Sequence, residues 1–301
     1  MLVLGGTAFV GRAIVAALLD AGHSPTIFSR GVTGRDLFPA VPRLTGDRQT
    51  GDYTALAGPS WDAVVDVTGF FAWQVEQATA ALGDRTGRYL FVSSHAVFAG
   101  GSRDLRPALP DAEPPLTDAT YGPSKVACED VVRRRYGDRA TIVRPGKVVG
   151  PYDRTDSLTY WVRRAARGGR VAVPGSPDQP VQIVDSRAVG ALVATLVSGS
   201  RPGAYTAVGS SRPFRDLIGL CAAAAGTTPT PVAVPFRRFP LVKAPALWDT
   251  QHRDPGPAIA AGMPEIPVTR TIADLRAWDL ARGEPPLASG FTAAEEAALL
   301  P

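Results

Sequence analysis

Along the first half of the chain, short apolar runs alternate with longer stretches whose apolar residues recur at helical spacing. The runs Leu2–Leu4, Thr26–Phe28, Arg43–Thr45, Ala63–Val67, Tyr89–Ser93 and Thr141–Val143 read as strands. Between them Val10–Ala21 is amphipathic and stops at Gly22, Gln74–Leu82 stops at Gly83, and Ser124–Tyr136 stops at Gly137. Glycine suits the position just past a helix because it takes the left-handed conformation without a Cβ penalty. Strands and helices in alternation imply βαβ units, hence a parallel sheet with helices on both faces. The pattern predicts an α/β fold built on a doubly wound parallel sheet.

Beyond Gly150 the texture loosens and proline becomes frequent. Val181–Val184 reads as a strand, Arg187–Val197 as an apolar helix and Ala204–Val208 as another strand, so residues of about 181–210 are expected to return to the first domain. Phe214–Ala225 and Ile272–Ala281 read as helices. The Pro-rich run Thr228–Pro267 reads as ordered loops, because Phe236, Phe239, Leu241, Leu247 and Trp248 interrupt it. The expected division is a Rossmann cofactor domain over 1–150 and a smaller mixed α/β substrate-binding lobe over 151–180 and 211–301.

Composition narrows the class without choosing a function. Of 301 residues, 45% are hydrophobic and 20% charged, as in soluble globular proteins. No stretch approaches the roughly 18 uninterrupted apolar residues of a membrane helix. The opening Met1-Leu2-Val3-Leu4-Gly5-Gly6 has no basic leader or cleavage site, so a secretory signal is not expected and the reading is cytoplasmic. Cys128 and Cys221 sit in Ala/Val-rich helical patterns and read as small core residues. His23, His95 and His252 lack ligand spacing, so no metal is expected. The sequence pI is about 9.3, yet only Lys125, Lys147 and Lys243 of the 32 basic residues are lysines. That arginine bias accompanies abundant Ala, Gly and Pro, and makes the pI a weak argument for nucleic acid. Arg133-Arg134-Arg135 reads as a solvated helix face.

Chemistry enters at the segment Gly5-Gly6-Thr7-Ala8-Phe9-Val10-Gly11, which follows a strand and opens a helix. There Gly5 and Gly6 allow a tight turn and close backbone approach to a diphosphate, and free N–H groups at the helix start bind the anion. Gly11 lets helix and strand pack closely. The second strand ends Phe28-Ser29-Arg30-Gly31 with no acid for the ribose hydroxyls. A cation there suits a 2′-phosphate, which favours NADP over NAD, with Arg30 as clamp and Ser29 beside it.

Tyr121 and Lys125 lie one helical turn apart at the start of a helix, so both can share a face. The scarcity of lysine makes the spacing informative. An ammonium about 5 Å from the phenol, at an effective dielectric near 20, would stabilise the phenolate by roughly 3 kcal/mol, about two pK units. The pair is therefore expected to bring the tyrosine toward useful acid–base range. Upstream, the strand Tyr89–Val92 runs into Ser93-Ser94-His95, at the carboxyl end of a strand where ligands bind in this fold.

A strand with a Ser-Ser exit and a Tyr-x-x-x-Lys pair about 27 residues later resembles the extended branch of the short-chain dehydrogenase/reductase superfamily. The resemblance also covers the glycine turn, Gly46-Asp47-Arg48, Phe91–Ser94, Tyr121–Lys125, Val143–Pro151 and Val181–Asp185. Within it the chain is most similar to bacterial epimerase/reductase-like proteins distantly akin to chloroplast stem-loop RNA-binding proteins. The resemblance implies that Tyr121 is the general acid/base, that Lys125 holds the nicotinamide ribose, and that Ser94 hydrogen-bonds the reacting oxygen. It places Asp47 and Arg48 by the adenine, Thr68 and Gly69 near the ribose and diphosphate, and Pro145 to Val148 against the nicotinamide. It further implies a homodimer formed through the Tyr121/Lys125 helix and the one before it, to which Arg133–Arg135 would add a charged face.

Three departures from the family pattern bear on function. Ala8 replaces the middle glycine of the fingerprint and adds only a methyl. After Ser94 comes His95-Ala96, where sugar dehydratases of this branch carry Asp-Glu, which argues against dehydration. His95 is open as a substrate contact, a second proton donor or a polar loop residue. Lys147 stands where nucleotide-sugar enzymes carry Asn, and is a candidate ligand for an anionic or carbonyl group. Further substrate candidates in the second lobe are Tyr152, Trp161, Arg164, Gln182 and the Phe236–Phe239 loop, each also readable as packing or solvated surface. The leading expectation is an NADP-dependent oxidoreductase acting on a hydroxyl or carbonyl of a small polar metabolite. The alternatives are an epimerase with tightly held NAD(P), and a catalytically inactive RNA-binding or regulatory protein.

Overall fold

In the computed structural model, residues 1–100, 102–109, 115–239 and 252–301 are described. The chain divides into two units: Met1–Gly146 with Ser186–Val208 and Arg253–Pro264, and Lys147–Asp185 with Gly209–His252 and Glu265–Pro301. Residues Arg253–Pro264 thus interrupt the lobe expected over 211–301 and lie in the first unit.

The first unit follows the alternating pattern: β1 (Leu2–Leu4), α1 (Phe9–Asp20), β2 (Thr26–Ser29), β3 (Arg43–Thr45), β4 (Trp61–Asp66), α2 (Ala72–Leu82), β5 (Thr86–Val92), α3 (Tyr121–Tyr136) and β6 (Ala140–Pro145). A seventh strand, Gly203–Ala207, completes a wholly parallel sheet. Across it the order is Gly203–Ala207, β6, β5, β4, β1, β2, β3. Val3 sits opposite Ile27 on one side and Val65 on the other. The chain therefore reverses direction across the sheet between β1 and β4, and the carboxyl ends of those strands flank the crevice where doubly wound sheets bind ligands.

Strands covered on both faces must be apolar throughout, and Leu2, Leu4, Val64, Tyr89, Phe91 and Ile142 are buried together. Each such side chain contributes about 1.5–3 kcal/mol through burial. On one face α1 lies against the helix Ser186–Ser198 with backbones almost touching, since a Cβ on Gly190 would come within 2.5 Å of the Ala13 carbonyl oxygen.

The second unit has its own core, with Trp161, Phe214, Leu217, Ile218 and Leu275 fully or almost fully enclosed. Its helices among the described residues are Ser157–Ala166, Phe214–Ala223, Val268–Ala281 and Ala293–Leu299, and its strand Lys147–Val149 pairs in parallel with Ile183–Asp185. The Pro-rich run is not all loop, because Thr230–Val234 pairs in parallel with Arg170–Pro174. Proline is tolerated there since the strand has only one partner. The single strand expected over Val181–Val184 is two, Pro180–Val181 and Ile183–Asp185. Leu241, Leu247 and Trp248, read as anchors of ordered loops, lie outside the described residues.

Candidate active site

The glycine turn leaves β1 with Gly5 at φ +107° and Gly6 at φ +100°, conformations that side chains rarely adopt. A Cβ on Gly11 would sit 2.7 Å from the Gly6 nitrogen, so only glycine lets α1 begin this close to the turn. Phe9 is held at φ +24°, a strained value for a residue with a side chain. Ala8 occupies the N-cap of α1 without capping it, and the first turn carries no acid. The N–H groups of that turn are thus left to an anion, and the helix dipole favours one.

Behind the turn stands a buried ion pair that the sequence reading missed. Arg48 donates to both carboxylate oxygens of Asp66, at 2.5 and 3.0 Å, and also to Thr68 Oγ1 at 2.9 Å and the Gln74 carbonyl at 3.2 Å. Tyr89 Oη adds a bond to Asp66 at 2.7 Å, and the Thr68 N–H another at 3.0 Å. Burial opposes charge on both partners, but the pairing prevails: Asp66 stays below the ordinary carboxylate range and Arg48 above the ordinary guanidinium range. Arg48 is therefore an internal strut, a correction to the expectation that it lies by the adenine. Through Thr68, whose methyl would sit 2.8 Å from a Cβ on Gly5, the strut backs the glycine turn. Asp47 stays half-buried at the end of β3, its carboxylate accepting from the Gln49 N–H at 2.9 Å.

The catalytic candidates converge where α3 meets the ends of β4 and β5. Ser94 ends the strand exit and caps the short turn His95–Val97 by accepting from the Ala96 N–H at 3.1 Å. A Cβ on Gly122 would lie 2.2 Å from the Ala96 carbonyl oxygen, so the start of α3 rests directly on that turn. This contact brings Tyr121 to the neighbourhood of Ser94, whose hydroxyl acts on the acidity of the phenol. Burial raises the Tyr121 pKa, Ser94 works against that rise, and Cys128 adds to it. The expected lowering by Lys125 is absent, so the phenol remains protonated at neutral pH.

The reason lies in how Lys125 is used. Its side chain is 2% exposed, and Nζ donates to the carbonyls of Gly69 at 2.7 Å and Val92 at 2.8 Å, with the Phe91 ring 4.4 Å away. Burial brings its pKa down to about 8. The neighbouring Ser124 hydroxyl donates to the Phe70 carbonyl, while Gln74 Oε1 accepts from the N–H groups of Phe70 at 3.0 Å and Phe71 at 3.3 Å. Side chains of α3 and α2 thus fasten the backbone of 69–71 from both sides.

One helical turn after Lys125, buried Glu129 receives Arg144 through two bonds, at 2.9 and 2.6 Å, and Arg133 at 2.6 Å. Burial opposes its charge, but Arg144 holds the carboxyl below its ordinary range. This brace joins α3 to the end of β6, where Pro145 is buried and the Gly146 N–H donates to Ala207. The sequence reading gave neither Glu129 nor Arg144 a role, although Arg144 lies within Val143–Pro151; the two are 15 residues apart, and only the fold pairs them. Arg134 and Arg135, read as part of a solvated helix face, are exposed and also have partners across to the α2 region, Glu76 and Asp84 respectively.

At the other end of the turn, Ser29 is half-buried, and Arg30 is exposed with no hydrogen-bond or ion-pair partner among the described residues. Thr7 Oγ1 lies 3.1 Å from Thr33 Oγ1.

Substrate candidates in the second unit fare unequally. Lys147 and Val148 are half-buried in a strand, opposite Ile183 and Val184. Gln182 donates Nε2 to the Gly209 carbonyl at 3.0 Å. Tyr152 is 41% exposed at φ +72°, edge-on to Trp278. Trp161 and Arg164 are corrected. Trp161 is 0% exposed, packed edge-on to Tyr160 and Phe214, and is core. Arg164 is buried and committed to Glu296 and to the carbonyls of Gly168 and Arg170, an internal clamp.

Residues 64–205 match the model of the NAD dependent epimerase/dehydratase family. The chain is 30% identical over 248 residues to a 2′-dehydrokanamycin reductase from Streptomyces kanamyceticus, covering 78% of this chain and 69% of that protein. The chain belongs to this family of extended short-chain dehydrogenase/reductases. It is also 27% identical over 199 residues to a chloroplast stem-loop binding protein of 41 kDa from Arabidopsis thaliana, covering 61% of this chain and about half, 51%, of that one. In fold it is similar to the UDP-glucuronic acid 4-epimerase of Bacillus cereus, solved in complex with NAD, at a TM-score of 0.71 over 93% of this chain and 98% of that one, with 14% identity. Left-handed glycines, an uncapped helix start and Gly69 beside Lys125 fit the dinucleotide on which the family depends.

Proposed function

We propose that the protein is an NADP(H)-dependent oxidoreductase acting on a carbonyl or hydroxyl of a small polar metabolite, with Ser94, Tyr121 and Lys125 as its catalytic set. The observation that carries this reading is Lys125, buried one turn after the protonated Tyr121 phenol and fastened to the carbonyls of Gly69 and Val92, in a domain whose glycine turn is built for a diphosphate. When bound, the cofactor supplies or accepts the hydride. In the reducing direction Tyr121 gives its proton to the substrate oxygen as that oxygen gains charge, and Ser94 orients the same oxygen by a hydrogen bond. Lys125, fixed by the Gly69 and Val92 carbonyls, keeps a third N–H free for a ribose hydroxyl. The exposed Arg30 and the absence of acid at the end of β2 support NADP.

The test is NADPH oxidation by wild type and Tyr121→Phe against a panel of polar ketones, starting with 2′-dehydrokanamycin, for which the reductase relative is named. Full turnover in Tyr121→Phe would sink the mechanism. The family description also favours a second reading, an epimerase with tightly held cofactor. In that case added cofactor is needed only in catalytic amount, whereas the oxidoreductase consumes one per turnover.

A further inference from the structure

The segment that leaves the Ser94 turn doubles back on itself. Phe98 bridges to Leu105, the Ala99 N–H donates to the Asp104 carbonyl at 2.9 Å, and the Arg106 N–H donates to the Val97 carbonyl at 2.7 Å. Leu105 packs with Val97, Phe98 and Val126, so the hairpin is seated on α3 through a small apolar core of its own. Arg253 secures it further by donating to the Ser102 carbonyl, with its guanidinium 4.1 Å from the centre of the Phe98 ring.

Arg106 stands where that hairpin returns to the catalytic residues. Its Nε donates to the carbonyls of Ala96 and Phe98, both at 3.0 Å. The Ala96 N–H is the group that donates to Ser94 Oγ, so the backbone of one residue lies between the serine and the guanidinium. Arg106 Cδ passes 2.9 Å from where a Cβ on Gly122 would sit, beside Tyr121 at the start of α3. With Nε committed, the outer fork of Nη1 and Nη2 remains, and neither atom is bonded to a described residue or enclosed away from solvent.

Among the described residues no carboxylate meets that fork. Asp104, two residues away, accepts from Ser102 Oγ at 2.7 Å, while Asp66 is held by Arg48 and Glu129 by Arg144 and Arg133. A half-buried cation is thus left uncompensated next to the groups that act on the substrate oxygen. Two parallel N–H groups match the two oxygens of a carboxylate, and a guanidinium fixed before binding loses little entropy when it pairs.

We propose that Arg106 selects the substrate of this site: Nη1 and Nη2 receive a carboxylate of an oxo or hydroxy acid, while Nε keeps the Ser94 turn in place. This rests on the oxidoreductase reading above and narrows its small polar metabolite to an acid.

The test takes the full chain, with and without NADPH, and reads calorimetric binding of pyruvate, levulinate and glucuronate, each against its own methyl ester. Wild type is expected to bind at least one acid about tenfold tighter than its ester. Arg106→Met should lose about tenfold for that acid and stay within about twofold for the ester. Arg106→Lys, which keeps a point charge without the fork, should recover part of the difference. NADPH affinity by fluorescence should be unchanged in both variants, which separates loss of a ligand from loss of the fold. Equal binding of acid and ester by wild type, an acid preference kept in Arg106→Met, or a loss shared by acid and ester as a merely structural role would give, overturns the assignment. If wild type binds NADPH and reduces ketones without regard to a carboxylate, the oxidoreductase reading stands and the role of Arg106 alone falls. If wild type binds no NADPH, that reading falls and takes this inference with it.

Discussion

Two groups of arginines in the first unit do opposite work. Arg48 and Arg144 are buried beneath the strand ends, and each meets a carboxylate through two bonds, Asp66 and Glu129 respectively. Arg30, Arg35 and Arg43 surround one loop and meet no carboxylate among the described residues. A buried guanidinium without its partner is untenable, so the first group belongs to the fold. An exposed guanidinium costs little alone, so Arg30 and Arg35 are free to serve a ligand, while half-buried Arg43 holds the Gly34 and Leu37 carbonyls of their loop. The same residue type, common throughout this chain, is thus sorted by what faces it.

Substitutions can break that contrast. The largest effect is expected at the site both groups serve: Tyr121→Phe should lower turnover by about 10²–10⁴-fold, while NADPH affinity measured by fluorescence changes little. Next, Glu129→Gln leaves Arg144 buried without an opposite charge and should cost about 3–5 kcal/mol in urea denaturation. Arg30→Ala should leave the urea midpoint where it is. A Glu129→Gln midpoint equal to wild type would erase the distinction between the groups.

Lys125 gives a test with a sign. Its folded pKa near 8 lies below its ordinary 10.5, so between those values the unfolded chain binds more protons. The lysine's share of stability should rise with pH across that window, by about 3 kcal/mol in all. The stability gap between wild type and Lys125→Met should shift by most of that amount in favour of wild type between about pH 7 and about pH 11, which bracket the window. The smallest effect is expected for Arg135→Ala, whose partner Asp84 is 95% exposed: under about 1 kcal/mol, and less at high salt.

Local signals in the sequence carried much of this structure. Leu2–Leu4 and Arg43–Thr45 are strands with the bounds expected, because an apolar run ending in Gly5-Gly6 and a short run before Gly46 each stop where the chain must turn. The placement of Ser94 at a strand exit and of Tyr121 and Lys125 on one helix was legible because their spacing is a local property. Contacts between distant segments were not legible. Nothing near Arg48 announces Asp66, 18 residues on, so Arg48 read as a ligand contact when it is a strut. Trp161 and Arg164 looked like pocket residues because a polar helix face and a buried ion pair have the same composition until Glu296 is placed beside them. The protonated state of Tyr121 also depended on placement: Lys125 spends two donors on carbonyls of segments that the Tyr-x-x-x-Lys spacing does not mention.

The most direct measurement is a pair of fluorescence titrations of the wild-type protein, with NADPH and with NADH, at fixed ionic strength. The account predicts that both bind and that NADPH binds at least about tenfold tighter, a ratio that shrinks as salt is raised. Binding of neither cofactor, or equal or tighter binding of NADH, would contradict it.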